Sequence, residues 1–413
     1  MHRPRAITEL PADHIDSLVS VLDAVRSASA TTRPEIARLT GLGRNVVSDR
    51  AGQLVAAGLL AEGELGRSTG GRAPRELRFR AEAGVVLVAE LGATSIDVAA
   101  SDLAGNLCHW HEEPADVTTG PQVVLSRVAE LFDQMLNQMP QGTNVWGIGV
   151  GLPGPVEFET GTPVSPPIMP GWDGHDVRGF FGTRFQVPVW VDNDVNVMAL
   201  GELRGGFAAG HRDFDFVKVG TGIGAGLVSG GKLHRGAQGC AGDMGHAAVG
   251  ASTVLCRCGQ RGCLEALAGG FALGRDGLGL ARSGTSALLA QALADDGEIS
   301  ADTVIWAAHH GDPAARELVA ASARLLGESL ARVVNFFNPS LILIGGGVAS
   351  AGDLYLAEVR QSVIARSLPL ATRSLQIARS PLADRAGLRG AAFMVVDELL
   401  SPERLAAADV AVG

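Results

Sequence analysis

The sequence lacks the features that would place a protein in a membrane or outside a cell. Its longest apolar stretches, such as residues 85–89 and 341–344, fall far short of the roughly 20 residues of a membrane-spanning helix. No apolar run follows Met1-His2-Arg3-Pro4-Arg5, so no secretory leader and no membrane partner are expected, and the location implied is cytoplasmic. Five cysteines in 413 residues are too few and too clustered for a disulfide framework. Aromatic residues reach only 5% and charged residues 19%, yet hydrophobic residues make up 46%, which excludes wholesale disorder. At a rough prior of about 100–200 residues per domain, this length implies two or three domains.

Glycine is abundant instead, with 55 residues, about 13% against an average near 7%. No collagen-like period or Gly/Ser linker accounts for it, which points to tight loops. The net charge of −10 is unevenly spread: residues 1–80 contain twelve Arg against nine Asp or Glu, leaving −13 on the remainder. A mildly basic head on an acidic body suits a head that meets nucleic acid.

The head reads as three helices and two strands. Ile15, Leu18, Val19, Leu22 and Val25 repeat at helical spacing. Thr32-Arg33-Pro34-Glu35 is a capping box with Pro in the first turn, and its helix stops at Gly41. A third helix over about 44–57 buries Val47, Ala51 and Leu54. Helix, short turn, helix is the spacing of a DNA-reading pair. Two short strands around an arginine-bearing glycine tip at 66–74 then form a wing, where Arg67 and Arg72 can enter a minor groove or pair with phosphates. Arg44, Asn45 and Ser48 stand at the start of the third helix, where base edges are met. Asp49 is an oddity there: it lowers affinity or accepts from a cytosine amino group. The other reading is a small helical bundle for protein docking. The head is expected to fold separately.

From residue 84 short apolar strands alternate with glycine turns. A strand through Glu90 enters Gly92-Ala93-Thr94, and a second plan of the same kind enters residues 220–226. The pair suggests duplicated α/β lobes whose hairpin amides cradle an anion, usually phosphate; each alone reads equally well as a tight turn. Asn193 and Asp194 end a strand that runs straight into a helix, the edge at which α/β clefts bind ligands. Asp194 there can accept a proton from a hydroxyl, or either residue can simply cap the helix. His246, Cys256, Cys258 and Cys263 supply the four ligands of a closed tetrahedral zinc site, structural and one per chain. Cys108 and Cys240 show no such pattern and are assigned to the core.

The stretch from 220 through Glu265 resembles the signature of the ROK family of repressors, open reading frames and sugar kinases. Leu91-Gly92-Ala93-Thr94, Gly151-Leu152-Pro153-Gly154-Pro155-Val156 and Ile344-Gly345-Gly346-Gly347-Val348 extend the likeness to nearly the whole chain. The resemblance implies an α/β fold with an actin-like, hexokinase-like two-lobe body, a duplicated RNase H-like arrangement, behind an N-terminal winged helix-turn-helix. Its boundaries are 1–80 for the head, 81–195 plus about 386–404 for the first lobe and 196–385 for the second. It implies sugar contacts from Asn193, Asp194, Asp243, His246 and Glu265, with Asp194 in the base position. It also implies nucleotide-holding segments at Gly92, Thr94, Gly220, Thr221, Gly222, Gly224, Gly345, Gly346 and Gly347.

Three departures favour sensing over catalysis. Kinase members open with Asp-x-Gly-Gly-Thr, but this chain has Glu90 for the Asp and Ala93 for the second Gly. Asp243 replaces the family's Glu, and Ile168 stands where many kinases carry a polar residue. An error of about 1 Å in positioning can cost about a hundredfold in rate. The expected function is a DNA-binding transcription regulator, a repressor of carbohydrate metabolism genes. It would sense a sugar or sugar phosphate and bind operator DNA as a homodimer or tetramer. The alternatives are an ATP- and Mg2+-dependent sugar kinase with a DNA-binding head, and a ligand-blind regulator kept folded by zinc.

Overall fold

The structure, a computed structural model, describes residues 12–65, 75–382 and 385–406. The head comprises α1 (Ala12–Arg26), α2 (Arg33–Thr40) and α3 (Arg44–Ala56), then the strands β1 (Leu60–Leu65) and β2 (Arg75–Phe79). The strands pair antiparallel with Leu60 opposite Phe79. The capping box forms, with Glu35 Oε2 accepting from Thr32 N at 3.0 Å, and α2 ends at Gly41 with φ 73°. Arg67, Arg72 and the rest of the wing tip lie outside the described residues.

Two five-stranded sheets of the same design follow. The first is ordered β5-β4-β3-β6-β9, from β3 (Val85–Leu91), β4 (Ser95–Asp102), β5 (Leu107–Pro114), β6 (Val145–Leu152) and β9 (Val189–Asn193). A two-stranded ribbon, β7 (Val156–Glu157) with β8 (Thr162–Pro163), sits between the last two in sequence. The second sheet is ordered β12-β11-β10-β13-β14, from β10 (Phe214–Val219), β11 (Ile223–Ser229), β12 (Lys232–Leu233), β13 (Leu341–Gly345) and β14 (Gln376–Arg379). In each sheet the first three strands are antiparallel and the last three parallel. Central strands such as β3, Val-Val-Leu-Val-Ala-Glu-Leu, are buried on both faces, which their nearly unbroken apolar sequence requires.

Helices α4 (Pro121–Gln138) and α5 (Val177–Phe185) cover one face of the first sheet. The pair α6 (Asp194–Gly205) and α14 (Ala386–Leu399) lies between the sheets. The second sheet is covered by α7 (Leu264–Ala268), α8 (Gly270–Arg282), α9 (Ala287–Asp296), α10 (Ala301–His309), α11 (Pro313–Phe337), α12 (Asp353–Arg366) and α13 (Pro369–Thr372).

Three sequence expectations need correction. Glycines such as Gly105, Gly230 and Gly259 do turn the chain at positive φ, but others sit in strands and helices where two backbones touch. A Cβ at Gly390 of α14 would overlap the Val197 carbonyl of α6, and one at Gly149 of β6 would lie 2.6 Å from the Ala391 carbonyl. The head is also not an isolated bundle. Leu18, Leu22 and Leu54 share one continuous core with Val86 of β3, Val396 of α14 and Leu405 of α15 (Pro402–Ala406). Finally, Cys108 and Cys240 are exposed: Cys108 lies on the outermost strand β5, whose residues mostly face out, and Cys240 lies in the loop after β12. No helix among the described residues is long and apolar enough to cross a membrane.

Candidate functional site

The two sheets face each other across a cavity of about 800 Å³. From the first lobe it is lined by Gly92, Ala93, Thr94, Ile168, Asn193 and Asp194. From the second come Gly220, Thr221, Gly222, Gly224, Asp243, His246, Glu265 and Gly347. Two glycines assigned to this site stand behind it. Gly345 ends β13 against the Phe216 ring, and Gly346, at φ 85°, crosses the Val219 carbonyl. The glycine run at 220–226 is only partly a turn: β11 already begins at Ile223. Gly226 is needed within the strand because a Cβ there would lie 2.6 Å from the Val195 carbonyl of α6.

Asn193 caps α6, Asp194 is its first residue, and both line the cavity. Asn193 Oδ1 accepts from Val195 N at 3.0 Å and Asn196 N at 3.2 Å, and its Nδ2 donates to Gly154 O at 3.0 Å. Asp194 Oδ1 accepts from Val195 N at 2.9 Å and from Asn193 Nδ2 at 3.0 Å. Its Oδ2 accepts from Lys218 Nζ at 2.7 Å. Lys218 also stands 3.6 Å from Glu90 Oε1. Burial pushes the Glu90 carboxyl up to about 8, against the pull of Lys218. Burial also works against the Lys218 charge, but Asp194 and Glu90 outweigh it and hold the ammonium above its ordinary value. Lys218 has no local motif to announce it. The only signal is rarity, for the chain has just two lysines, the other being Lys232.

Glu265, at the start of α7, accepts from Ile223 N through Oε2 at 3.1 Å. This bond fastens the Gly220-Thr221-Gly222 turn to the cysteine loop, and Gly222 leaves room for the carboxylate. The loop gathers His246, Cys256, Cys258 and Cys263 with all ligand atoms within 4.8 Å of one another. Tetrahedral zinc with Zn–S of about 2.3 Å and Zn–N of about 2.0–2.1 Å requires edges of about 3.8 Å (S to S) and about 3.6 Å (S to N). Cys258 Sγ lies 3.7 Å from Cys263 Sγ, and Cys256 Sγ lies 3.6 Å from His246 Nδ1. The group can hold a metal ion. Burial, with the neighbouring thiols, pushes Cys263 up to about 12, a cost that a bound cation reverses.

In the head, Arg44, Asn45 and Ser48 are exposed on α3. Asp49 is engaged on its own helix, its Oδ2 accepting from Arg50 Nη1 at 2.6 Å and Gln53 Nε2 at 3.1 Å. Arg50 is buried and donates to Ser17 Oγ at 2.8 Å, which locks α3 to α1. At the other end of α1, Arg26 pairs with Asp397 of α14. The second oxygen of Asp397 accepts from Arg204 of α6 at 2.6 Å. One carboxylate therefore joins the head to the helix whose first residue is Asp194.

A match to the ROK family spans residues 86–398. The chain belongs to the ROK family. The xylose repressor of Caldicellulosiruptor bescii is 32% identical over 391 residues, covering 92% of this chain and 95% of that protein. A glucokinase of Halalkalibacterium halodurans is also 32% identical, but over 321 residues and 76% of this chain. Among solved structures, a ROK family transcriptional regulator, a homologue of the E. coli MLC protein, superposes with TM-score 0.81 at 25% identity. That match covers 97% of this chain and 100% of the regulator. A ROK family glucokinase from Streptomyces griseus, solved with glucose and AMPPNP, matches at TM-score 0.66 and 30% identity, over 75% of this chain and 99% of the kinase.

Proposed function

We propose that this ROK protein is a sugar-sensing transcription repressor. The observation that carries it is the continuity of the head with the cleft: α14 packs on α6, shares a core with α1 and holds Arg26 and Arg204 on one carboxylate. The likeness to a xylose repressor over 92% of the chain supports this reading, since the glucokinase likeness covers 76%. The three units are 1–80, a winged helix-turn-helix; 81–195 plus about 386–404; and 196–385.

Arg44, Asn45 and Ser48 read base edges and Arg67 and Arg72 of the wing meet the backbone, on an operator repeated to suit a homodimer. Asn193, Asp194, Asp243, His246 and Glu265 hydrogen-bond the sugar. Asp194, Asp243 and Glu265 make the cavity a poor host for a phosphate, and Arg275 on its wall is held by Asp276 at 2.7 Å. The effector is accordingly an uncharged sugar. One structural zinc per chain on His246, Cys256, Cys258 and Cys263 holds the loop bearing Asp243 and Glu265 against the cleft.

Fluorescence anisotropy with DNA from the chain's own genomic neighbourhood tests the reading. The expected result is binding at least about 10³-fold tighter than to random DNA, shifted by one sugar of a pentose and hexose panel. Equal affinity for random DNA would overturn it. Sugar-dependent ADP release above about 1 s⁻¹, lost in Asp194→Asn, would favour the kinase alternative with ATP and Mg2+.

A further inference from the structure

Two strands that hold the same place in the two sheets end in an acidic and a basic side chain. Glu90 stands two residues before Gly92 on β3, and Lys218 stands two residues before Gly220 on β10. Their registers agree: Glu90 lies opposite Gly151 of the parallel neighbour β6, and Lys218 opposite Gly345 of the parallel neighbour β13. The duplication therefore brings Glu90 and Lys218 face to face across the cleft, Oε1 to Nζ at 3.6 Å. Asp194 completes the group with Oδ2 2.7 Å from the same Nζ. The side chains of Glu90 and Asp194 are only 6% and 7% exposed.

Two nearly buried carboxylates beside a glycine turn make an oxygen-rich slot of the kind that hard divalent cations occupy. Here a compact ammonium with three donors fills it. A third carboxylate, Asp97 on β4 opposite Glu90, adds to the acidic surroundings that hold the ammonium protonated. Lys218 also engages Asp194 Oδ2 directly, so that oxygen already accepts one hydrogen bond in the slot.

We propose that Lys218 is a tethered cation, which occupies the slot between Glu90 and Asp194 in place of a divalent ion and makes the cleft a metal-independent site for an uncharged polyol. The ligand class rests on the sensor reading given above; the cation claim rests on the Glu90–Lys218–Asp194 geometry alone and is tested separately.

The test uses Mn2+ as probe, titrated into the full-length protein and followed by the electron paramagnetic resonance of the free ion. Wild type is expected to take up no Mn2+ beyond what Asp194→Asn takes up. Lys218→Met is expected to gain one Mn2+ per chain, at least about tenfold tighter than wild type, and Lys218→Met/Asp194→Asn to lose it. Lys218→Arg, which keeps the charge, should behave as wild type. The proposal is overturned if wild type binds Mn2+ at a site that Asp194→Asn removes. It is equally overturned if folded Lys218→Met, judged by its thermal melt, binds no more than wild type. Should Lys218→Met fail to fold, the comparison of wild type with Asp194→Asn decides alone. Operator and sugar titrations report on the sensor reading whatever the Mn2+ result.

Discussion

In the first lobe the central strand β3 places Leu87 opposite Ile148, and in the second β10 places Asp215 opposite Ile342, at the same position of the same sheet design. Three residues further on, Glu90 in one lobe answers Lys218 in the other. The first lobe packs its α14 against the head, while the second bears the His and Cys loop over the cleft. Strand order and register were kept through the duplication, and side chains at matched positions were free to diverge. Function lies in that divergence, since a fold by itself specifies none.

The comparison can be broken most severely at the loop that only the second lobe carries. Cys258→Ser should remove the proposed zinc, seen by elemental analysis as a fall from the one per chain expected of wild type. Because binding energy at such a site is also folding energy, the second lobe should lose on the order of 10 °C in melting temperature and its sugar affinity with it. Next are the helix contacts. Gly390→Ala sets a methyl group against the Val197 carbonyl, which is backbone and cannot turn aside; about 3 kcal/mol should be lost in urea denaturation. Gly277→Ala on α8 of the second lobe meets side chains and no backbone, Val304 Cγ2 at 2.4 Å and Ile299 Cγ2 at 3.1 Å, and should cost less than half of that.

Asp215 sharpens the contrast with Leu87. Burial raises its carboxyl to about 7, and neither oxygen meets a donor among the described residues. The native chain therefore holds a proton that the unfolded chain has released from about pH 4 upward, so stability falls as pH rises toward 7 and stays low above it. Wild type should lose about 2 kcal/mol between pH 5 and pH 8 from this group, and Asp215→Asn should flatten that slope in melts at the two pH values. The smallest effect belongs to the head junction. Asp397→Asn should leave sugar affinity unchanged by calorimetry yet reduce the sugar effect on operator binding about fivefold, on the order of 1 kcal/mol of coupling.

Much of this was legible in the sequence where spacing is local. The capping box at Thr32, the strand-to-helix step at Asn193 and Asp194, and the four metal ligands each lie within a short stretch, so pattern and chemistry coincide. Lys218 escaped notice because its partner Asp194 is 24 residues away and Glu90 lies on the other sheet; only the folded duplication brings them together. The merging of head and body was hidden for a similar reason, because α14 and α15 come from the far end of the chain to complete the core begun by Leu18 and Leu22. Glycines such as Gly201 and Gly390 looked like loop residues because composition counts them without showing what each one touches.

The central claim is that the cleft acts on the head through binding alone. The direct measurement is operator affinity with and without the effector sugar, in the absence of nucleotide, for wild type and Asp194→Asn. The account predicts a change of at least about fivefold in wild type and none in Asp194→Asn. An operator affinity unmoved by any sugar of the panel, together with sugar-dependent ADP release that Asp194→Asn abolishes, would contradict it.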